Sequence, residues 1–188
     1  MKSALALAVL VIFAACKRAT EEGPVVVPTQ EVVAGVEMID FTSDEAKFTC
    51  RLPGEWGVRE EKHLARSKGI SLSGPEATHI VIFKYPEIND QYKDARVYAD
   101  SLALITPDGK PPVVTEEKMG DHNVLRFHYE RMPFPKRTRN SDRPNRIDFA
   151  LIPVKDGFYE IKHTASVDTY LKTLPVFEAV VRSFKPKI

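Results

Sequence analysis

Apolar and polar positions change their pattern along this chain. From Ala4 to Ala15 no side chain carries a polar atom. From Lys17 to about Asp40, Gly23, Pro24 and Pro28 interrupt any regular spacing, although Val25 to Val27 and Val32 to Val36 form short apolar patches. From Phe41 onward the periods of strands and helices take over. Phe48, Cys50 and Leu52 alternate with Thr49 and Arg51, the pattern of a half-buried strand that points Cys50 inward. Pro53-Gly54 predicts a type II turn, with Trp56 and Val58 starting the return strand of a hairpin. Ile70 and Leu72 mark another strand, and His79 to Tyr85 carries apolar residues on both faces, as a central strand covered on both sides does.

Tyr92, Ala95, Ala99, Leu102 and Ile105 fall three or four apart and predict a helix over 92–105, with Asp90 as its cap and Pro107-Asp108-Gly109 as its stop. Strands follow over 113–118 and 123–131. A further pair, 146–152 and 158–164, is joined by Lys155-Asp156-Gly157, whose Asp-Gly step favours a tight hairpin. Leu174, Phe177, Val180, Val181 and Phe184 give a closing helix over 171–184, with Pro175 in its tolerant first turn. The expected fold class is α+β: an α/β/α sandwich with a central, mainly antiparallel sheet flanked by helices. The boundaries read as a leader over 1–15, a tether over 16–40 and one globular domain over 41–188. The patches at Val25 and Val32 leave a second reading open, in which part of the tether segment docks on the domain as an edge strand.

The opening run has the length of a secretory signal core, follows the single charge of Lys2, and falls short of the roughly 20 residues that cross a bilayer as a helix. Phe13-Ala14-Ala15-Cys16 resembles the lipobox of bacterial lipoproteins, with Phe13 where leucine is usual. The resemblance implies cleavage before Cys16 and lipidation of its sulfur. Two or more acyl chains hold lastingly, each buried CH₂ adding about 0.8 kcal/mol. Lys17 behind the cysteine, by resemblance to the sorting rule of enteric bacteria, implies delivery to the outer membrane, facing the periplasm.

Lys and Arg total 27 against 26 Asp and Glu, so no global field draws the chain to nucleic acid. Cys16 and Cys50 are its two cysteines. After lipidation of the first, no internal disulfide can form, and the core alone must hold the domain.

The order of elements, with the segment FTCRLPGEW over Phe48 to Trp56 and the stretch from Phe158 to Lys185, resembles the PsbP-like family of α/β/α sandwiches. The resemblance implies the fold and an assembly or binding role. It supplies no shared catalytic motif.

Neither GxSxG, HExxH nor a glycine-rich phosphate loop is present. The best metal constellation would join His128 and Glu130 on one strand face with His163 from another strand; the alternative is ordinary, separately bonded imidazoles. Arg131 to Arg146 is the most unusual segment: Lys136, Arg137, Arg139, Arg143 and Arg146 stand there against one acid, Asp142. It is longer than an ordinary hairpin loop, and its arginines suit bidentate phosphate contacts. It is either an anionic ligand-binding site or a solvated connection. No catalytic residue, metal ligand or cofactor is assigned. The functional expectation is a monomeric, non-enzymatic envelope lipoprotein. Its expected partners are the membrane, through Cys16, and an envelope protein or an anionic lipid or glycolipid. The alternative is an envelope hydrolase or metal-dependent enzyme.

Overall fold

The computed structural model describes residues 31–63, 67–86, 92, 94–104, 106, 109–131 and 144–187. Among them, seven strands form one antiparallel sheet: β4 (Gly57–His63), β5 (Ser67–Ser73), β6 (His79–Pro86), β7 (Thr115–Met119), β8 (His122–Arg131), β9 (Asn145–Val154) and β10 (Gly157–Ser166). Their spatial order is β4-β5-β6-β10-β9-β8-β7. Strands β7 to β10 pair in sequence as an antiparallel meander, and Lys155 and Asp156 form the turn between Val154 and Gly157. As the apolar patterns require, β6, β9 and β10 are the central strands and bury residues on both faces.

The helices α1 (Ala95–Ser101) and α2 (Val167–Ser183) lie on opposite faces of this sheet. On the α1 face Tyr85, Tyr98, Phe127, Phe149 and Phe158 form an aromatic core. On the α2 face, Ile80, Ile82, Ile152 and Ile161 pack with Phe177, Val180 and a second sheet. That sheet has the order β1-β2-β3-β11, from β1 (Glu31–Val33), β2 (Val36–Ser43), β3 (Phe48–Pro53) and β11 (Lys185–Pro186). The Tyr159 hydroxyl links the two sheets, lying 2.9 Å and 2.7 Å from the carbonyls of Ala46 and Lys47. The α+β class is as expected; the second sheet is not foreseen by the sequence pattern.

Several sequence expectations are corrected. Residues 31–40, assigned to the tether, form β1 and part of β2, turned by Ala34 and Gly35 at positive φ. The proposed hairpin after Phe48 does not form, because β3 pairs with β2 and β11 while β4 pairs with β5. The chain leaves one sheet for the other at a turn closed by Trp56 N–H to Pro53 O (3.2 Å). Neither of its central residues, Gly54 and Glu55, is at positive φ, so the turn is not type II.

α1 is shorter than expected, passing into a 3₁₀ turn at Leu102–Leu104. Its cap is Asp94, whose Oδ1 accepts from the N–H groups of Arg96 (2.9 Å) and Val97 (2.8 Å); Asp90 lies outside the described residues. α2 begins at Val167, so Pro175 sits mid-helix rather than in the first turn. No described helix is long and apolar enough to cross a membrane.

Candidate functional site

The strand register assembles a polar row on the α2 face. Asp148 on β9 stands opposite His128 on β8 and opposite His163 on β10. Alternation along β9 sends Ile147 and Phe149 to the α1 core, leaving Arg146 and Asp148 for the other face. From α2, the Tyr170 hydroxyl donates to Asp148 Oδ1 (3.3 Å) and Thr173 Oγ1 lies 3.0 Å from His163 Nε2. The His163 ring stacks on Phe177, with centroids 5.3 Å apart. Arg146 lies over the Tyr170 ring at 4.5 Å and brings Nε to 3.8 Å from Asp148 Oδ1.

Burial decides the charge state of this row. His163 is fully buried, and desolvation lowers its pKa from 6.5 to about 4, leaving a neutral imidazole at ordinary pH. Burial also raises the Asp148 carboxyl, against the opposing pull of Arg146, His128, the Tyr170 hydrogen bond and Arg126. His163 Nδ1, Asp148 Oδ2 and Arg146 Nε are buried without a hydrogen-bond partner. Nδ1 and Oδ2 are 4.0 Å apart.

Thr173, His163 and Asp148 thus follow the order of a hydroxyl–imidazole–carboxylate triad. Access argues against that chemistry. Thr173 is 4% exposed and His163 fully buried, and the Thr173 hydroxyl is also within reach of the Thr169 carbonyl, at 3.2 Å. A substrate carbonyl could not reach that oxygen without displacing α2. The metal constellation is likewise not gathered. His128 is exposed at the sheet surface, and Glu130 stands opposite Arg146, one row beyond. Among the described residues no group of three His, Cys, Asp or Glu side chains could hold an ion.

Of the residues expected to bind anions, Arg146 is half-buried and engaged by Asp148 and Tyr170 rather than projecting outward. Lys136, Arg137, Arg139 and Arg143 lie outside the described residues, as does Cys16. The strands that carry the segment remain paired up to Arg131 opposite Asn145. Its downstream end is tied to the start of α2 by Val167 N–H to Pro144 O (3.3 Å).

At the other end of α2 two open grooves share Arg182 and Lys185. One, of about 560 Å³, is lined by Phe41, Cys50 and Arg51 together with Ala179. The other, of about 710 Å³, lies between the last turn of α2 and the β7–β8 turn. Cys50 is buried, which pushes its thiol up to about 12 and suppresses thiolate chemistry.

Sequence reasoning missed Asp148, Tyr170 and Thr173. Their roles come from register and helix position. The one local signal is the Arg-Ile-Asp-Phe alternation over residues 146–149, which puts a cation and an acid side by side on one face of a central strand.

No family profile and no curated protein matches the chain. Its likeness to solved structures is in shape. The cyanobacterial PsbP protein CyanoP from Synechocystis superposes with a TM-score of 0.52 at 10% identity, covering 79% of this chain and 92% of that one. The fold is PsbP-like. LpqN of Mycobacterium tuberculosis, described as involved in cell envelope biogenesis, has a TM-score of 0.50 at 10% identity over 85% of this chain and 99% of its own. A Bacteroides thetaiotaomicron protein has a TM-score of 0.46 at 14% identity over 79% of this chain, which spans about half its length (48%). At 10% identity the likeness to CyanoP is one of architecture alone.

Proposed function

We propose that this chain is a non-catalytic protein of the bacterial cell envelope, anchored outside the cytoplasm by lipid on Cys16 and binding an anionic surface or partner through its basic segment. The observation that carries the reading is the setting of that segment. Lys136, Arg137, Arg139 and Arg143 stand against the single acid Asp142, between strand ends fixed in register at Arg131 and Asn145. A cluster of that kind attracts phosphate and carboxylate groups, and arginine binds them two-pronged. The membrane-proximal address follows from the lipobox-like Phe13-Ala14-Ala15-Cys16. Likeness in fold to LpqN is compatible with an envelope role.

The binding test uses vesicles of phosphatidylglycerol and of phosphatidylcholine. Wild-type protein binds the anionic vesicles in a salt-sensitive way, and replacement of Arg137, Arg139 and Arg143 by glutamine abolishes this; equal binding by the variant would refute the role of the segment. For the anchor, Cys16→Ser protein leaves the membrane fraction and shows no acyl mass. Retention of the variant in membranes would refute the anchor.

A further inference from the structure

The helix α2 carries two apolar stripes, and the domain's core uses one. Val176, Phe177, Val180 and Val181 face that core. On the solvent side Val167, Leu171 and Pro175 recur every four residues, a spacing that lines them up along one helix face. Leu171 is 75% exposed and Val167 38%, so both present apolar surface to solvent. The outer stripe occupies only the first half of the helix. In the second half the same side turns polar, with Glu178 bonded to Arg126 and with Arg182 exposed.

Charge and reach indicate what covers this stripe. It begins where the basic segment ends, since Val167 N–H bonds to Pro144 O (3.3 Å). Lys136, Arg137, Arg139 and Arg143 less the acid Asp142 give that segment a formal +3, whereas Asp168 and Lys172 beside the stripe cancel. Apolar side chains next to a cationic cluster suit the headgroup layer of an anionic bilayer. The chain from Cys16 enters the domain at the other end of α2, where Glu31 pairs with Arg51 and Arg51 N–H bonds to Ser183 Oγ (2.9 Å). Glu31 stands 15 positions after Cys16, about 50 Å at full stretch, and the 17-residue helix is about 25 Å long. An anchor on Cys16 therefore lets the first half of α2 lie on the same membrane.

We infer that the first half of α2 docks on an anionic bilayer, with Val167 and Leu171 entering the headgroup layer beside the basic segment. The inference rests on the reading of that segment and of Cys16 given above, and it names lipid rather than protein as what the segment meets. Attraction by the cations falls with salt, whereas burial of the two aliphatic side chains is not screened. Such docking is reversible by itself, and lasting attachment still needs the acyl chains.

The test uses the full mature chain with Cys16→Ser, so that no acyl chain contributes, and vesicles of phosphatidylglycerol. Leu171→Gln weakens binding about tenfold, equivalent to about 1.4 kcal/mol, by the same factor at low and high salt and with an unchanged melting temperature. Spin-labelled lipid broadens the NMR methyl signals of Val167 and Leu171 and spares those of Val32, which is 65% exposed on β1. The glutamine variant of Arg137, Arg139 and Arg143 loses the salt-sensitive attraction. Loss of binding in that variant with undiminished binding by Leu171→Gln, or broadening of Val32 as strong as that of Leu171, would overturn the docking of α2 and leave the segment's role standing. Undiminished binding by the segment variant would refute the segment's role, and Leu171→Gln then still decides that of α2. No binding by the parent chain would overturn both.

Discussion

His163 and Asp148 are direct partners in the β9–β10 register, and the Nδ1 of one lies 4.0 Å from the Oδ2 of the other. A charged pair at this place would form an ion pair. Instead, burial pushes the imidazole down and the carboxyl up, each toward its uncharged form. α2 closes the row with Tyr170, Thr173 and Phe177, so the arrangement is a polar seam in the core.

The seam makes stability depend on pH. Between about pH 6.5 and pH 4 an unfolded chain protonates His163 while the folded one keeps it neutral. Stability therefore falls as pH falls through that window, by on the order of 2 to 3 kcal/mol, and the slope flattens below about 4. Asp148 acts with the opposite sign: its folded carboxyl holds a proton above 3.8, so the stability it contributes is lost as pH rises through its raised value. Urea unfolding across this range will show the fall in wild-type protein. His163→Gln, which retains a partner for Thr173, will show a flatter profile. An unchanged slope in the variant would assign the pH dependence elsewhere.

On the other face Glu160 is 1% exposed and accepts a short hydrogen bond from the Tyr98 hydroxyl, with Lys162 Nζ at 3.4 Å. Tyr98→Phe leaves the ring packing intact and removes that donor. The expected loss is about 1 to 3 kcal/mol, the cost of a buried polar group left short of a partner. In a double-mutant cycle Tyr98→Phe costs less when Glu160 is already Leu, because the group it strands is gone. Equal costs in both backgrounds would show that the bond carries no coupling.

How much of this was readable in advance depends on the range of the interaction that decides each feature. The β9–β10 hairpin was legible because its alternation and its Asp-Gly step are local. The departure of β3 from β4 was not, since an alternating strand followed by Pro53-Gly54 looks the same whether the chain turns back or crosses to another sheet; β2 and β11 decide it. The His128 and His163 placement on one face was legible. The acid between them was not, because Asp148 enters the row only through pairing with two other strands. Pro175 was misplaced for a related reason: the apolar spacing starts the helix at 171, which puts the proline in its first turn, whereas burial of Thr169, Tyr170 and Thr173 extends it to Val167.

Trp56 offers a spectroscopic check on the passage between the sheets. A Cβ added at Gly74 would lie 2.7 Å from atoms of the Trp56 indole, closer than real contacts. Gly74→Ala must therefore shift the indole or the turn before β6, at a cost of about 1 to 3 kcal/mol. Trp56 is the chain's single tryptophan, so its emission reports the change directly, moving to longer wavelength as the ring is pushed outward. Unaltered emission and stability would place the indole elsewhere.

Pro175 lies in the middle of the 17-residue α2 and lacks the N–H that would bond to the Leu171 carbonyl. The helix continues through it because Val176, Phe177, Val180 and Val181 are buried against β9, β10 and β3, while Pro175 itself is exposed. Leu171 is 75% exposed, so solvent can reach the turn that loses the bond. Pro175→Ala restores the hydrogen bond but frees the unfolded chain, and the two effects oppose each other. With an interior proline costing about 3 kcal/mol, the expected net gain is roughly 1 to 2 kcal/mol, read as a higher melting temperature. A loss of stability would carry a different meaning: the distortion at Pro175 would then be what seats Thr173 against His163, and the same variant would raise the His163 pKa in an NMR titration.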